Sequence, residues 1–314
     1  MNEAVLYILE NNLTALKDYL NYNSINQVDE KGNNLLHYAI MYNRVEICYF
    51  LINSHIFLNQ QNYLTMTPLF LAIHKNMVGV CDSLLKNNCD VSLRTARGET
   101  PFYYAFLYGR EEIIKLFIDY RKADFTQKNQ NGENILFALV RNGNLSLLDT
   151  YFSLSLAKES DDFGNNLLHL AASYNDIDII NYLITKGVEI NKLNRHKETP
   201  LYNAIRNMNY QAVKTILQKG AMTDFKNSDG ISLKKLLSDT FKTLTSYDLT
   251  DKERINYPLH YAVIMNNKVL FKESLSKYNL ETKDYFDKDV TSLIKSLDYT
   301  HFNSLIKEYM HTAK

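Results

Sequence analysis

The chain has 314 residues, 46 % of them hydrophobic, and its 35 Lys and Arg residues balance its 35 Asp and Glu residues, so that the formal net charge is zero. This balance argues against a nucleic-acid partner, which calls for a basic surplus to neutralise phosphates, and against polybasic attachment to a membrane. Three cysteines without a pairing pattern, Cys48, Cys81 and Cys89, predict a reducing, cytoplasmic location.

Residues 1–28 contain two short apolar patterns, Val5-Leu6-Ile8-Leu9 and Leu13-Leu16-Tyr19-Leu20. Their spacing predicts an N-terminal capping pair of helices. The first residues lack a basic stretch followed by an apolar run, so no signal peptide is expected. No apolar run approaches the 18 residues of a membrane span, which predicts a protein that does not insert into a membrane.

A unit of about 33 residues then recurs six times between residues 29 and 226. The starts lie 33, 33, 34, 32 and 33 residues apart, at Asp29, Asn62, Thr95, Asn129, Asp161 and Asn194. We call these units repeats 1 to 6. A period in this range indicates a solenoid, in which each repeat buries its apolar face by stacking on its neighbours.

Each repeat follows the same order of local signals. Asp or Asn is often followed three residues later by a turn glycine, and Thr-Pro then provides an N-cap and a first helical residue, as in Thr67-Pro68. A short first helix carries a small Ala, a second helix carries apolar residues at helical spacing, and Gly or Asn ends it. Cys48 and Cys81 share one apolar position in adjacent repeats, which predicts two core thiols.

This pattern resembles the ankyrin repeat, as the segments Thr67-Pro68-Leu69-Phe70-Leu71-Ala72 and Leu168-His169-Leu170-Ala171-Ala172 illustrate. The resemblance implies that His37, His169 and His260 tie the turn backbone. Repeats 1 and 5 lack Thr-Pro, and Lys197 replaces a turn glycine.

The C-terminal part departs from the regular period. Residues 227–251 are expected to hold a degenerate repeat and an irregular connection, because the stretch from Ser238 to Asp251 is polar and Thr-rich. Residues 252–286 restore an ankyrin-like repeat, and residues 287–314 resemble a C-terminal capping helix pair. The whole pattern predicts an all-α, ankyrin-type solenoid of about nine stacked helix-turn-helix units with short β-hairpin-like turns.

The sequence contains no recognisable catalytic motif. There is no P-loop, no Gly-x-Ser-x-Gly, no dinucleotide fingerprint and no zinc-type Cys/His spacing, so no catalytic, metal or cofactor-binding residue and no cofactor is expected. The protein is therefore interpreted as non-enzymatic. The rival hypothesis is an enzyme with an unrecognised active site between Ser238 and Lys314.

A partner surface is implied by the resemblance, since ankyrin-type repeats grip targets with their turn tips and with the exposed, concave face of the first helix. We call the two residues near the end of each first helix the helix-end pairs: Met41-Tyr42, His74-Lys75, Leu107-Tyr108, Arg141-Asn142, Ser173-Tyr174, Arg206-Asn207 and Ile264-Met265. Tyr in alternate repeats would form an aromatic ladder, although Tyr is also common in this chain, at 23 copies.

The candidate partner-binding residues are Met41, Tyr42, Lys75, Leu107, Tyr108, Arg141, Phe163, Tyr174, Arg195 and Arg206. Other charged residues at the tips, Glu99 among them, are expected to be solvated. These features predict a scaffold, monomeric on its own, that binds another protein. One version is a microbial effector that binds a host protein after export. The alternative is an immunity or antitoxin-like protein that blocks a cognate enzyme.

Overall fold

The computed structural model describes residues 2–207, 209–240, 258–264, 268–275, 280–281, 289–296 and 301–312. All regular secondary-structure elements within these ranges are α-helices, which confirms the all-α expectation for the described residues. The chain divides into two compact parts, the N-terminal half (Met1–Asp162) and the C-terminal half (Phe163–Lys314). The predicted irregular connection after Thr240 lies outside the described residues, and the domain limits proposed above stay predictions.

The N-terminal half stacks the helices of repeats 1 to 4 in two rows. The first helices pack in succession (α1, α3, α5, α7, α9), and so do the second helices α4, α6 and α8. The bounds are α1 Asn2–Leu9, α2 Leu13–Leu20, α3 Leu35–Met41, α4 Val45–Asn53, α5 Pro68–His74, α6 Val78–Lys86, α7 Pro101–Leu107, α8 Glu111–Asp119, α9 Ile135–Asn142, α10 Leu145–Tyr151 and α11 Leu154–Ala157.

The second helix of repeat 4 is broken into α10 and the single turn α11. Phe152, directly after α10, has φ −62° and ψ 127°, which is extended backbone and cannot continue a helix. This break accompanies the shortest spacing between repeat starts, the 32 residues from Asn129 to Asp161.

The C-terminal half repeats the arrangement, with α12, α14 and α16 packed in succession and α13 against α15. Its last four described helices form a group in which α17 packs on α18 and α19, and α20 packs on α18 and α19. The bounds are α12 Leu167–Tyr174, α13 Ile177–Thr185, α14 Pro200–Arg206, α15 Tyr210–Gln218, α16 Leu233–Thr240, α17 Pro258–Ile264, α18 Lys268–Leu275, α19 Val290–Ser296 and α20 His301–Thr312.

The turn that opens a repeat is organised by its first side chain. Asn194 accepts hydrogen bonds on Oδ1 from the backbone N–H groups of His196 and Glu198, both at 2.9 Å. The fourth residue of the turn has a positive φ, which favours glycine; Lys197 adopts φ 57° in place of glycine. Isolated antiparallel bridges, Val28 with Asn34 and Lys226 with Ser232, give two of these turns hairpin character.

Successive turn tips are joined by backbone hydrogen bonds. The N–H of Tyr63 donates to the carbonyl of Lys31 at 2.9 Å, and that of Gln130 donates to Arg97 at 3.0 Å. Gly98 is needed beside the second bond for a further reason: a Cβ there would lie 2.7 Å from the Gln130 nitrogen.

The buried histidines connect neighbouring repeats through the N-caps of the first helices. His169 Nδ1 accepts from the backbone N–H of Asn166 at 3.1 Å, and its Nε2 lies 3.0 Å from the carbonyl oxygen of Glu198 in the next repeat. His37 makes the same two contacts, with Asn34 and Met66. The role that the resemblance implied for His37 and His169 is confirmed, and His260 is also buried.

The ends of several first helices are held by a polar side chain from the following repeat. Arg110 donates from Nε to the carbonyl of Ile73 at 3.2 Å and from Nη2 to that of His74 at 2.8 Å. Asn209 makes two equivalent bonds of 2.8 Å to the end of α12. The last carbonyls of a helix have no hydrogen-bond partner within the helix. These side chains provide one and so fix the position of the helix end that carries the helix-end pair.

Candidate functional site

The described members of the helix-end pairs lie within the last two residues of a first helix or at its C-cap. Tyr42, Lys75 and Tyr108 are the C-caps of α3, α5 and α7, and Tyr174 is the last residue of α12. Arg206 is the last residue of α14. Met265, of the seventh pair, lies outside the described residues.

Two of the tyrosines belong to the N-terminal half. Tyr42 is 39 % exposed and its ring stacks on that of Tyr38, with centroids 6.3 Å apart. The Tyr38 hydroxyl donates to Asp29 at 2.5 Å, and this hydrogen bond raises the pKa of Tyr38 to about 12. A ring anchored in this way offers a fixed aromatic surface with Tyr42 on its outer side.

Tyr108 stands in a more enclosed setting than Tyr42. It is half-buried, its ring lies 4.6 Å from the Tyr104 ring and 4.9 Å from the His74 ring, and the Arg110 guanidinium lies 6.0 Å from its centroid. Tyr104 in turn meets the buried Phe70 edge-on at 5.3 Å. The result is an aromatic cluster on repeats 2 and 3.

The remaining tyrosine, Tyr174, lies in the C-terminal half and is 53 % exposed. The proposed ladder of Tyr42, Tyr108 and Tyr174 stays a prediction. Of the other candidates, Lys75 is exposed, whereas Met41 and Leu107 are half-buried.

Two of the three arginines among the candidates form ion pairs within their own repeats. Arg206 Nη1 lies 3.2 Å from both carboxylate oxygens of Glu198, and Arg141 forms an ion pair with Glu133. The carboxylates are almost fully buried, with 4 % of the Glu133 side chain and 8 % of the Glu198 side chain exposed. Each guanidinium is therefore positioned by a buried charge, and 31 % of the Arg141 side chain and 60 % of the Arg206 side chain remain exposed.

Phe163 and Arg195 stand at turn tips of the C-terminal half. Phe163 is 51 % exposed, and its carbonyl accepts the backbone N–H of Arg195 at 2.9 Å. In the N-terminal half the tip of repeat 2 exposes Tyr63 and Leu64 even further, at 79 % and 76 %. The sequence analysis missed these two residues, although an apolar pair at the centre of a turn signal could have indicated them.

An open cavity of about 250 Å³ lies between repeats 2 and 3 in the N-terminal half. Its lining includes Leu64, Met66, Glu99, Tyr104, Leu107 and Tyr108, with Arg97 also at its edge. The expectation that Glu99 is solvated was wrong: Glu99 is only 5 % exposed, because it precedes the N-cap of α7 and packs beneath the turn. The one sequence signal was that Glu recurs at the fifth position of repeats 3, 4 and 6.

Among the described residues, no group of three or more His, Cys, Asp and Glu side chains is arranged to hold a metal ion. A search of the same residues finds no helix with the length and apolar character to span a membrane. The three thiols are buried, which confirms the prediction for Cys48 and Cys81.

Comparisons with known proteins agree with this geometry. A model of ankyrin repeats matches in three copies, over residues 3–95, 75–150 and 136–229. Human Rabankyrin-5 is 23 % identical over 280 residues, covering 77 % of this chain and 23 % of its own length. Rat NF-kappa-B inhibitor alpha is 29 % identical over 169 residues, covering 52 % of this chain and 45 % of its own.

The chain thus spans less than half the length of these two relatives. Among solved structures, the ankyrin repeat domain of Bcl-3, described as a member of the IkappaB protein family, superposes with a TM-score of 0.52 at 19 % identity. The match covers 66 % of this chain and 95 % of that domain, which supports the fold alone. With the family model reaching from residue 3 to residue 229, the chain belongs to the ankyrin-repeat family, and its solenoid is of the type that serves as a protein-interaction scaffold.

Proposed function

We propose that this chain is a non-enzymatic scaffold that binds another protein through its helix-end pairs and turn tips. The observation that carries the proposal is the exposure of Tyr42 and Tyr174, 39 % and 53 %, at equivalent ends of first helices. Tyr is enriched among residues that dominate binding energy, because it buries a large rigid area and keeps a polar tip. Phe163 adds an apolar contact at a tip of the C-terminal half.

Tyr42 and Tyr108 are held by neighbouring side chains before any partner binds. Tyr42 stacks on Tyr38, which is anchored by Asp29, and Tyr108 packs against Tyr104 and His74. Side chains that are ordered before binding lose less conformational freedom when a partner arrives. These tyrosines can therefore contribute more to affinity than mobile side chains of the same size.

Catalysis is not part of the proposal. The buried His37 and His169 are used in the caps of first helices, and the acidic residues Glu133 and Glu198 are neutralised by Arg141 and Arg206. The partner is proposed to be a protein, either a host protein reached after export or an enzyme blocked by this chain. No cofactor is included.

The test is affinity capture with mass-spectrometric identification, from a lysate of the source organism and from a eukaryotic lysate. The bait is the wild-type chain beside the triple variant Tyr42→Ala, Tyr108→Ala, Tyr174→Ala. Because each buried Tyr anchor is worth about 2 kcal/mol or more, the triple variant is expected to lose a specific partner by at least about a hundredfold in affinity.

The matched control is the double variant Tyr22→Ala, Tyr49→Ala. Tyr22 is 90 % exposed after α2 and Tyr49 lies on the second helix α4, so both are surface tyrosines away from the helix-end pairs. Circular dichroism must show equal helicity for all baits. Equal capture by the triple variant would contradict the proposed surface. A partner found only in the eukaryotic lysate would favour the effector version, and one found only in the lysate of the source organism would favour the immunity version.

A further inference from the structure

Three repeats share a glutamate whose surroundings differ in one of them. Glu99, Glu133 and Glu198 are each the fifth residue of their repeat, directly before the N-cap of the first helix. All three are buried, with exposures of 5 %, 3 % and 6 %. In repeats 4 and 6 an arginine follows eight residues later, Arg141 and Arg206, and pairs with the carboxylate.

Repeat 3 carries Leu107 where those repeats carry arginine. Glu99 receives a hydrogen bond from the hydroxyl of Thr95 at 2.9 Å, and no basic side chain in the described part of the chain lies within ion-pair distance of it. Burying a carboxylate without a compensating cation is costly. A cation that entered from outside would therefore gain what Arg141 and Arg206 gain within their own repeats.

The space for such a cation is present. The cavity of about 250 Å³ beside Glu99 is bordered by Leu107 and by the rings of Tyr104 and Tyr108, whose centroids are 4.6 Å apart. Aromatic faces attract a planar guanidinium by stacking and by cation–π interaction, while a carboxylate can accept its N–H groups. Leu64 and Met66 supply an apolar wall for the methylene stem of a long side chain.

Two arginines of the chain lie close to this cavity. Arg110 is committed to the carbonyls of Ile73 and His74 and approaches Tyr108 to 6.0 Å, so it does not supply the charge that Glu99 lacks. Arg97 borders the cavity and is exposed. Its charge weakens the attraction for a second cation, so a single arginine is expected to bind no more tightly than about 1 mM.

We propose that the cavity between repeats 2 and 3 receives an arginine side chain of the partner protein, with Glu99 as the counter-charge and the ring of Tyr108, supported by the buried Tyr104, as the stacking surface. This inference rests on the proposed function and specifies one anchor of the partner. It also explains why repeat 3 lacks the arginine of repeats 4 and 6: the partner supplies it.

The test is an NMR titration of the full chain with N-acetyl-L-arginine N-methylamide, followed through the backbone amides of residues 95–108. Its neutral counterpart contains citrulline, which has the same shape without the charge, and a third probe contains lysine. We expect the arginine probe to shift amides near Glu99 and to bind about tenfold or more tightly than the citrulline probe, because a charge-assisted pair is lost in citrulline.

Four variants separate the parts of the site. Leu107→Arg reproduces the sequence of repeats 4 and 6 and should abolish binding by filling the cavity with the chain's own cation. Ile118→Arg adds the same charge at an exposed position of α8 that does not line the cavity, and it should bind as the wild type does. Glu99→Gln should lose the preference for arginine over citrulline, whereas Arg97→Ala should strengthen arginine binding several-fold by removing a like charge.

Equal shifts with arginine and citrulline, unaltered binding by Leu107→Arg, or no shift at tens of millimolar probe would overturn the proposal. A partner protein captured by the wild-type chain allows the arginine pocket and the scaffold function to be tested separately. If that partner is lost by the triple tyrosine variant but binds Leu107→Arg and Ile118→Arg equally, the scaffold surface stands and the arginine pocket is wrong.

Discussion

Buried histidines make the joints between repeats sensitive to acid. The Nδ1 atom of His169 accepts the N–H of Asn166, and Nε2 must then carry the proton that is donated to the carbonyl of Glu198. A ring held in this neutral form resists protonation, and burial lowers its pKa from 6.5 to about 4. Burial also lowers the pKa of His37, which makes the equivalent contacts in repeat 1.

We therefore predict that stability falls as the pH drops from about 6.5 towards 4. In that window the unfolded chain takes up a proton at His169 that the folded chain does not, so the free energy of unfolding rises with pH, with a contribution from His169 of about 3 kcal/mol across the whole window. Urea unfolding at pH 7.5 and 4.5 measures it. His169→Gln should be less stable at pH 7.5 and show a flatter pH profile.

His196→Gln provides the comparison, since His196 is exposed at a turn tip. Its pH profile should follow that of the wild type. A wild-type profile that is flat between pH 6.5 and 4.5 would show that the histidine caps are not protonated differently in the folded and unfolded states.

Residue identities were predictable where a single position decides the structure. The role of His37 and His169 was implied by the resemblance to the ankyrin repeat, and the core thiols follow from the shared position of Cys48 and Cys81. Glu99 was misjudged because its burial depends on the turn that closes over it. The ion pairs of Arg141 and Arg206 were missed because they join positions eight residues apart across a turn and a helix, which periodicity does not report.

At the scale of the helix, equivalent N-caps are not equally effective. Thr100, the N-cap of α7, accepts the N–H of Tyr103 at 3.2 Å and donates to Gln127. Thr67, the N-cap of α5, is also buried, but its hydroxyl has no protein partner among the described residues. A hydroxyl that is buried without a partner contributes no hydrogen-bond stabilisation to the helix.

The variants Thr67→Val and Thr100→Val should therefore differ in their free energy of unfolding. Thr100→Val is expected to lower the free energy of unfolding by about 1–2 kcal/mol, as for loss of an N-cap. Thr67→Val removes only an unpartnered hydroxyl and should change it by less than about 0.5 kcal/mol. Urea midpoints at constant slope measure both, and equal losses in the two variants would contradict this view of the Thr67 cap.

Helix positions were predicted well because Thr-Pro, Asn and glycine mark helix ends locally. The break between α10 and α11 was not predicted, since Phe152, whose backbone is extended there, is neither Pro nor Gly and gives no local signal of a helix end. The connection after Thr240 lacks the repeat pattern on which the other predictions depended.

At the scale of the whole molecule, all three cysteines lie in the N-terminal half, so that labelling of their thiols measures local opening of that half. Cys48, Cys81 and Cys89 are buried, and burial raises the pKa of Cys48 and Cys89 to about 12 and that of Cys81 as well. Reaction with a thiol reagent requires the thiolate and access to it. Labelling of the native protein should therefore be slow and limited by local opening.

Leu84 and Leu183 offer a matched pair for this readout, because both are fully buried at the same position of repeats 2 and 5. Each change to Ala is expected to cost about 2–5 kcal/mol. Stability in a repeat array is transmitted mainly between neighbours, so Leu84→Ala should speed thiol labelling by about tenfold or more, and Leu183→Ala should leave it nearly unchanged. Equal acceleration would mean that the whole chain opens as one cooperative unit.

The backbone bonds between turn tips have a consequence for how such a chain changes over generations. Lys31, Arg97 and His196 each contribute a main-chain carbonyl to the bond with the next tip, so the bond does not depend on the side chain at that position. Mutations can alter the chemistry of a tip while the stacking beneath it persists. Partner choice can thus drift repeat by repeat, with little selection against the intermediates.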